Sequence, residues 1–342
     1  MRGRKIKCVV WDLDETVWRG ILSEGDDVKL RPKVPDIMRG LDERGILQSV
    51  CSKNDFDQAW SKLDEMGLSY LFIYPQISWN PKSMGVKEIA KLINIAQDAI
   101  AFVDDQEFEL AEVGGECPNV MCINSADLDG FLEMDEMNPR FITEDSTRRR
   151  LLYQDDIKRG KIEDSFVGTK DEFLRTLDMK LTISLAVEGD LKRAEELTVR
   201  THQLNSTGDV YSYEQLRELI GSQTYEVLIV QLDDKYGTYG KIGLALIEKD
   251  GIRWELKLLL MSCRVISRGV GGVILSYLVN KAISNGAELF ARFVPSDRNR
   301  IMYISYKFGG FREDGKKGDC IILKADTSKL RVLPDYIAIE EG

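Results

Sequence analysis

The chain has 342 residues, of which 43% are hydrophobic and 30% are charged, an ordinary globular composition. This length predicts two domains, each large enough to bury its own core. The formal net charge of −10 argues against a general nucleic-acid-binding protein, because neutralising phosphates needs a local excess of Lys and Arg.

The cysteines and the apolar runs bear on the cellular compartment. Six cysteines are scattered along the chain, without the spacing of a disulfide framework or a zinc ribbon, which favours reduced thiols. The basic residues 1–7 are followed by a short apolar run that reaches Asp12 almost at once, unlike a secretory signal. No run approaches bilayer length. We therefore expect a cytoplasmic protein with no membrane or nucleic-acid partner.

The first half alternates short apolar runs with amphipathic stretches, which predicts an α/β domain, a doubly wound sheet with helices on both faces. Strands are predicted at residues 7–12, 47–51, 70–75, 100–104 and 120–123. Helices are predicted at residues 35–43, 56–66, 83–95 and 107–113. We place this Rossmann-like domain at residues 1–140, followed by a charged, partly helical connector at residues 141–178.

The order of elements changes in the second half, residues 179–342. A strand at 181–187 precedes a helix at 190–202 and a second helix, for which Ser212 and Gln215 form a predicted capping box. Strands are then predicted at 226–232, 242–248 and 254–263, with turns at Tyr236-Gly237 and Asp250-Gly251. A helix at 271–284, a strand at 289–294, a helix at 300–308 and a last strand at 320–324 complete an α+β domain.

Two aspartates mark the end of the first predicted strand. Asp12 and Asp14 lie where the carboxyl ends of an open α/β sheet form a ligand crevice, and Thr16 follows them. Beside a bound Mg²⁺, one carboxylate can attack phosphorus while the other protonates the leaving oxygen. The same residues could instead form a surface turn.

Later polar residues, each near a strand end or a helix start, favour the catalytic interpretation. Ser52 can donate a hydrogen bond to a phosphoryl oxygen, Lys53 is its neighbour in the same loop, and Lys82 can neutralise phosphoryl charge. Asp104 and Asp105 can complete a metal shell with the first two aspartates. Together, in this order, these residues predict a phosphoryl site.

These motifs resemble those of the haloacid dehalogenase superfamily over roughly residues 6–125. The resemblance implies that Asp12 is the nucleophile and Asp14 the general acid/base, with Asp104 joining them as a magnesium ligand. It also implies that Ser52 and Lys82 hold the phosphoryl group. About 40 residues separate the first motif from Ser52, which implies a minimal cap.

The second half resembles a Gcn5-related acyltransferase fold, in which two central strands splay so that a pantetheine arm lies between them. Residues 254–263 would be the fourth strand of that fold. Residues 268–272 would form the turn whose backbone N–H groups bind pyrophosphate. Val273, just after this turn, stands where such folds usually have a small residue.

Several strings resemble the FkbH-like proteins of polyketide pathways across nearly the whole chain: Cys8-Val9-Val10-Trp11-Asp12-Leu13-Asp14, Arg200-Thr201-His202-Gln203-Leu204-Asn205, Tyr236-Gly237-Thr238-Tyr239-Gly240, Ser262-Cys263-Arg264 and Asp297-Arg298-Asn299. Those proteins look like glyceryltransferase/phosphatases. The resemblance implies that this chain takes D-1,3-bisphosphoglycerate, removes phosphate, and passes a glyceryl unit through an enzyme thioester to an acyl carrier protein.

Cys263 is the candidate acyl-carrying thiol, because it ends a predicted strand beside Arg264 and a neighbouring cation favours the reactive thiolate. Cys51, next to Ser52, is the second candidate. His202 is the chain's single histidine and the candidate base for Cys263. Further predicted substrate-binding residues are Thr16, Lys53, Asn205, Asp234, Arg264, Arg298 and Asn299.

Two alternatives stay open at this stage. One is a magnesium-dependent phosphatase whose second half only binds a carrier or a peptide. The other is a phosphatase fused to an acetyl-coenzyme A-dependent N-acetyltransferase, against which Val273 and Cys263 both argue.

Overall fold

The computed structural model describes residues 5–342 and divides into two compact units, Met1–Gln154 and Asp155–Gly342. Residues 1–4, the start of the basic stretch 1–7, lie outside the described part. The division falls within helix α6 (Arg149–Ser165), so the two units share the predicted connector at residues 141–178. Between residues 5 and 342, no helix combines the length and the apolar character that crossing a bilayer requires.

The first unit is a five-stranded sheet with helices between its strands. Its elements before α6 are β1 (Cys8–Trp11), β2 (Trp18–Arg19), β3 (Lys29–Leu30), α1 (Val34–Glu43), β4 (Leu47–Ser52), α2 (Phe56–Glu65), β5 (Gln76–Ile77), α3 (Lys82–Ile93), β6 (Ile100–Asp104), α4 (Glu107–Glu116), β7 (Met121–Asn124) and α5 (Glu144–Thr147). Only the hairpin of β2 and β3, a short 3₁₀ turn and α1 lie between Asp12 and β4.

The sheet has the order β5-β4-β1-β6-β7, and all its pairs are parallel. Strands β1, β4 and β6 are fully buried, as expected for a sheet covered on both faces. Because these strands run in the same direction, their carboxyl ends meet at one edge of the sheet. The residues that follow each strand are therefore brought together there.

The predicted strand at residues 70–75 is wrong. Ser69–Leu71 forms a 3₁₀ turn, and the strand β5 begins only at Gln76. The backbone of Tyr74 has a φ of 50°, in the left-handed region, which interrupts an extended run. Phe72 forms only an isolated bridge with Gln48, while Leu71, Phe72 and Ile73 are all buried, so burial explains the apolar string.

The second unit contains an eight-stranded sheet of order β13-β14-β12-β11-β10-β9-β8-β15. Its elements after α6 are α7 (Lys170–Arg175), β8 (Met179–Leu185), α8 (Leu191–Arg200), α9 (Tyr213–Ile220), β9 (Tyr225–Asp234), β10 (Gly237–Asp250), β11 (Arg253–Met261), α10 (Val270–Ser284), β12 (Glu288–Phe293), α11 (Arg300–Phe308), β13 (Phe311–Lys317), β14 (Cys320–Ala325) and β15 (Ile337–Glu341). The predicted capping box of Ser212 and Gln215 is present at the start of α9.

In the second unit two edge strands were not predicted, and helix α7 lies within the connector predicted to be partly helical. After its first residue, strand β13 is exposed and mostly charged, so it lacks the apolar alternation by which strands are identified. Strand β15 pairs in parallel with β8, which contradicts the prediction that residues 320–324 form the last strand. Helix α7 begins with a capping box of Thr169 and Glu172.

Strands β11 and β12 part partway along their length. They pair in parallel only from Arg253 to Leu256 on the β11 side. The register of β10 against β11 then shifts, which leaves Lys257 as the extra residue of a β-bulge. Because a bulge bends the strand that carries it, β11 leaves β12 at this point.

The gap between the parted strands is filled by residues 204–206 of the same chain, which we call the inserted segment. Met261 donates its backbone N–H to the carbonyl of Leu204, and Ser206 donates its own to the carbonyl of Leu259. The N–H of Val294, just after β12, donates to the carbonyl of Ser206. The inserted segment therefore continues the sheet between β11 and β12.

Within the second unit, α6 is fixed to the β9–β10 hairpin by a buried ion pair. Arg159 donates to both carboxylate oxygens of Asp234, at 2.7 and 2.9 Å, and both side chains are fully buried. Its guanidinium also donates to the carbonyl of Gly237 and lies over the ring of Tyr239. The Tyr239 hydroxyl donates to Asp234 as well, at 2.8 Å.

Replacing Asp234 by Ala should destabilise the second unit by about 3–5 kcal/mol, because it removes the carboxylate that accepts two hydrogen bonds from the buried guanidinium of Arg159 and leaves it only Asp156 among the described carboxylates. Scanning calorimetry would measure the effect. Asp335→Ala is the matched control, since it breaks an exposed Arg–Asp pair with Arg175 and should leave the unfolding transition unchanged. Equal melting temperatures for the two variants would contradict this account of α6.

Candidate active sites of the two units

The edge of the first unit's sheet holds a cation between two carboxylates. Asp12 directly follows β1, Asp104 ends β6, and Lys82 is the first residue of α3. The Lys82 ammonium lies 2.8 Å from Asp12 and 2.6 Å from Asp104. All three side chains are buried. The structure thus brings together three of the residues predicted for the phosphoryl site.

The same edge offers ligands for a divalent cation. Carboxylate oxygens of Asp12, Asp104 and Asp105 lie within 4.8 Å of one another. Burial raises the pKa of Asp12 to about 7, with Lys82 opposing the rise and Asp104 adding to it. Burial also raises the pKa values of Asp104 and Asp105. Because Mg²⁺ prefers oxygen ligands and would offset this crowding of acids, the three carboxylates fit such an ion.

Asp14 lies apart from this carboxylate cluster. Its Oδ1 accepts hydrogen bonds from the Trp18 indole at 2.7 Å and from the Leu22 N–H at 3.1 Å. Its Oδ2 accepts from the Asn54 amide at 2.9 Å. The carboxylate is therefore held by neutral donors, an arrangement compatible with a general acid/base. Its predicted role as a metal ligand stays a prediction.

Asn54 is a residue of this site that the sequence analysis did not single out. Its amide nitrogen donates both to Asp14 and to the hydroxyl of Ser52, at 2.9 and 3.2 Å, and the residue is buried. One side chain thus links the predicted acid/base to the predicted phosphoryl-binding hydroxyl. The sequence signal that could have identified Asn54 is its position two residues after Ser52, at the end of the same strand.

Lys53 and Thr16 border the cluster. Lys53 forms an ion pair of 2.6 Å with Glu109 of α4, whose other carboxylate oxygen is buried with no hydrogen-bond partner among the described residues. The Thr16 hydroxyl lies 3.5 Å from Asp105. Glu109 is a further acid that the sequence analysis did not identify, and it lies in the first turn of α4 after Asp104 and Asp105.

Cys51 is poorly suited to carry an acyl group. It is 3% exposed, and burial raises the pKa of its thiol to about 12, so that little thiolate forms at neutral pH. Its sulfur lies 3.4 Å from the carbonyl of Lys82 and is positioned to donate to it. This geometry favours a core thiol.

In the second unit, Cys263 lies just past β11 instead of ending it. It begins a 3₁₀ helix, Cys263–Arg268, and is partly exposed. Arg264 donates to the carbonyl of Tyr239 at 2.8 Å. An isolated β-bridge pairs Asn205 with Leu260. Asn205 lies three residues after His202, and Leu260 lies three residues before Cys263. The inserted segment therefore runs beside the strand end from which Cys263 follows.

A cleft of about 420 Å³ opens next to the inserted segment. Its lining includes three predicted site residues, His202, Arg298 and Asn299. His202 is exposed to solvent. Neither Cys263 nor Arg264 lines this cleft. The base role of His202 and the binding role of Arg298 therefore remain predictions.

Asn205 and Asn299 have a visible structural role. The Asn205 side-chain oxygen accepts from the N–H groups of Thr207 and Gly208. The Asn299 amide donates to the carbonyls of Asn205 and Val294, and both asparagines are buried. These bonds hold the inserted segment in place, and substrate binding by either residue stays a prediction.

The turn predicted to bind pyrophosphate is occupied by the protein itself. Gly269 has a φ of 72°, and a Cβ there would collide with the hydroxyl of Tyr336. Arg268 is 5% exposed and pairs with Glu163 at 2.7 Å. Val273 is buried in the core. This packing argues against coenzyme A at the turn.

No protein-family profile and no curated protein matches the chain. Among solved structures, the N-terminal part of BF1531 from Bacteroides fragilis, containing a phosphatase domain complexed with Mg, is 24% identical, with 45% of this chain and 40% of that chain covered and a TM-score of 0.32. The ribosomal-protein-S18-alanine N-acetyltransferase from Escherichia coli is 18% identical, with 44% and 95% covered and a TM-score of 0.34. The PaiA N-acetyltransferase from Thermoplasma acidophilum, in complex with coenzyme A, is 15% identical, with 43% and 98% covered and a TM-score of 0.34.

The chain thus spans less than half the length of the BF1531 structure that it matches.

If the predicted phosphoryl site releases phosphate from an ester, replacing Asn54 by Ala should lower kcat on the order of tenfold to a hundredfold, because it removes the amide that orients Asp14. KM for a phosphate ester should change little. Steady-state phosphate release at saturating Mg²⁺ is the measurement. Asn138→Ala, which removes an exposed amide that donates to the carbonyls of Leu132 and Met134, is the control. An unchanged kcat for Asn54→Ala would remove this positioning role.

Mg²⁺ should stabilise the protein more at about pH 8 than at about pH 6, because Asp12 has a pKa of about 7 and holds a competing proton at the lower pH. The sign of this pH effect follows from the raised pKa of Asp12, because the folded protein without Mg²⁺ binds a proton there that the ion must displace. Differential scanning fluorimetry with and without Mg²⁺ measures this difference. The pH dependence should weaken in Asp12→Asn, and an equal thermal shift at both pH values in the wild type would refute it.

Proposed function

We propose that the chain is a bifunctional glyceryltransferase/phosphatase that works on both ends of D-1,3-bisphosphoglycerate. The observation that carries the proposal is the buried group of Lys82, Asp12 and Asp104 at the carboxyl edge of a parallel sheet. The sequence strings that resemble FkbH-like proteins support D-1,3-bisphosphoglycerate as the substrate. A bifunctional chain is also consistent with two units that have separate cores and separate candidate sites.

The first unit removes the ester phosphate. Asp12 attacks phosphorus, the bond between phosphorus and the ester oxygen breaks, and Asp14 protonates that oxygen, which leaves as a hydroxyl on the glyceryl carbon. Water then hydrolyses the phosphoaspartate and regenerates the carboxylate. Lys82 and Ser52 hold the phosphoryl oxygens. A Mg²⁺ ion held by Asp12, Asp104 and Asp105 neutralises phosphoryl charge when bound.

The second unit transfers the glyceryl group. The sulfur of Cys263 attacks the carbonyl carbon of the acyl phosphate, so that a thioester forms and phosphate leaves. The phosphopantetheine thiol of an acyl carrier protein then attacks the thioester and frees Cys263. Carrier proteins are acidic, so a local basic face would receive one in spite of the chain's net charge of −10.

The geometry favours this reaction over acetyl transfer from coenzyme A. Residues 204–206 pair with the backbone of β11 where a pantetheine arm is expected to lie, and Tyr336 packs against Gly269 at the expected pyrophosphate turn. The remaining alternative, a phosphatase whose second unit only binds, predicts phosphate release without any acyl-enzyme. We expect the protein to act in the cytoplasm.

Incubation with Mg²⁺ and freshly generated D-1,3-bisphosphoglycerate should add one dephosphorylated glyceryl unit to the protein, as measured by intact-protein mass spectrometry. Cys263→Ala should abolish the adduct, because the thioester needs that sulfur. Asp12→Asn should give a phosphorylated adduct or none, because the ester phosphate is not removed.

Cys51→Ala is the matched control and should keep the adduct. Phosphate release from the wild type without any adduct would overturn glyceryl transfer and leave a phosphatase with a binding unit.

A further inference from the structure

The turn after β11 contains a cation that forms no direct ion pair with a carboxylate in the described part of the chain. Arg264 donates from Nη2 to the neutral carbonyl of Tyr239, and this is its only side-chain hydrogen bond in the described part of the chain. Its Nη1 is buried and has no hydrogen-bond partner there. The residue itself is partly exposed and adjoins Cys263. A buried donor on a charged group costs free energy when it is unpaired, so this guanidinium is suited to an anion.

The neighbouring arginines differ from Arg264 in this respect. Arg159 is neutralised by Asp234 at 2.7 Å and by Asp156 at 3.0 Å. Arg268 pairs through Nη1 with Glu163. The Nε of Arg268 is nevertheless buried with no partner between residues 5 and 342, and the side chain is more than nine-tenths buried. A second unpaired guanidinium donor therefore lies on the same 3₁₀ helix.

Asp156 connects the three arginines. Burial raises the pKa of its carboxyl, while Arg264, then Arg159 and Arg268, lower it in that order. Of the three, Arg159 is the one that pairs directly with Asp156, at 3.0 Å. Asp234 and Glu163 neutralise the other positive charges in part, so the capacity for a further anion rests on the buried donors of Arg264 and Arg268 that have no partner among the described residues.

We propose that Arg264, assisted by Arg268, forms a subsite for the phosphate leaving group of the acyl phosphate, an inference that rests on the proposed function. The Cys263 sulfur forms a bond to the carbonyl carbon, the bond between that carbon and the bridging oxygen breaks, and its electron pair leaves with the phosphate. The thiol proton ends on that phosphate, so the products are a thioester and hydrogen phosphate. Guanidinium groups match phosphate oxygens in geometry and charge.

Two simpler roles compete with this subsite. Arg264 could act on the Cys263 thiol alone and favour its thiolate. The arginines could also serve only to fix α6 to the sheet, with Asp156 and Glu163 as their sole partners. Binding of free phosphate near Cys263 separates the subsite from both, because neither simpler role needs a phosphate.

The test is alkylation of Cys263 by iodoacetamide in the full-length protein, with and without inorganic phosphate. The rate is read by peptide mass spectrometry on the peptide that contains Cys263, and EDTA is present so that the first unit holds no Mg²⁺. Phosphate should slow alkylation of the wild type relative to chloride at equal ionic strength. Arg264→Gln should weaken this protection on the order of tenfold or more.

Further variants keep the test decisive if Arg264→Gln folds poorly. Arg264→Lys keeps the positive charge and should retain part of the protection. Arg268→Lys keeps a cation for Glu163, removes the Nε donor and should weaken protection. Arg217→Gln, which removes an exposed arginine, should leave protection unchanged.

Without phosphate, the pH dependence of alkylation should be the same in Arg264→Gln and in the wild type. A shift in that pH dependence, with no protection by phosphate in the wild type, would replace the subsite by thiolate activation. No protection and no shift would leave the arginines a structural role.

Acylation by the acyl phosphate separates failure of this inference from failure of the proposed function. Wild-type protein that never becomes acylated refutes the proposed function. Wild-type protein that is acylated no faster than Arg264→Gln refutes only the subsite.

Discussion

The candidate phosphoryl site depends on one buried cation, Lys82, between Asp12 and Asp104. Burying charges costs free energy that an ion pair recovers only when its geometry is good, and here both distances are below 3 Å. With Asp105 included, three carboxylates face one ammonium, so the site is left with excess negative charge when no cation or proton is bound. Burial raises the pKa of Asp12, and the neighbouring Asp104 adds to the rise, so the site also has a raised affinity for a proton. A divalent cation held by the three carboxylates would offset the excess negative charge.

The second unit contains unpaired donors and no excess of one charge. Around Asp156, three guanidinium groups face the three carboxylates of Asp156, Asp234 and Glu163, yet two guanidinium donors are buried without partners among the described residues. Phosphate can be held in either way: by a metal on carboxylates or directly by arginine. The first arrangement suits a phosphoryl group that is attacked at phosphorus. The second suits a phosphate that only has to leave, because it binds the anion without activating phosphorus.

The sequence predicted the elements that carry the phosphoryl site better than those that shape the second unit. In the first half, apolar strands with polar residues at their ends place Asp12, Ser52 and Asp104 correctly, because parallel strands share one edge. The side-chain direction of Asp14 depends on Trp18 and Asn54, contacts that residue spacing does not encode. In the second half, β13 escaped prediction because an exposed, charged edge strand lacks the alternation of a half-buried one.

The inserted segment also limits the chemistry that is open to the second unit. Residues 204–206 take backbone groups of β11 that would otherwise pair with an extended ligand arm, and Asn299 fixes that segment from the other side. A thiol that receives and returns an acyl group must instead be reached from outside the sheet. Cys263 meets this condition because it follows β11 on a partly exposed turn, whereas Cys8, Cys51 and Cys117 are buried in the first unit. The constraint that disfavours coenzyme A thus favours an acyl-enzyme that a tethered carrier thiol approaches from solvent.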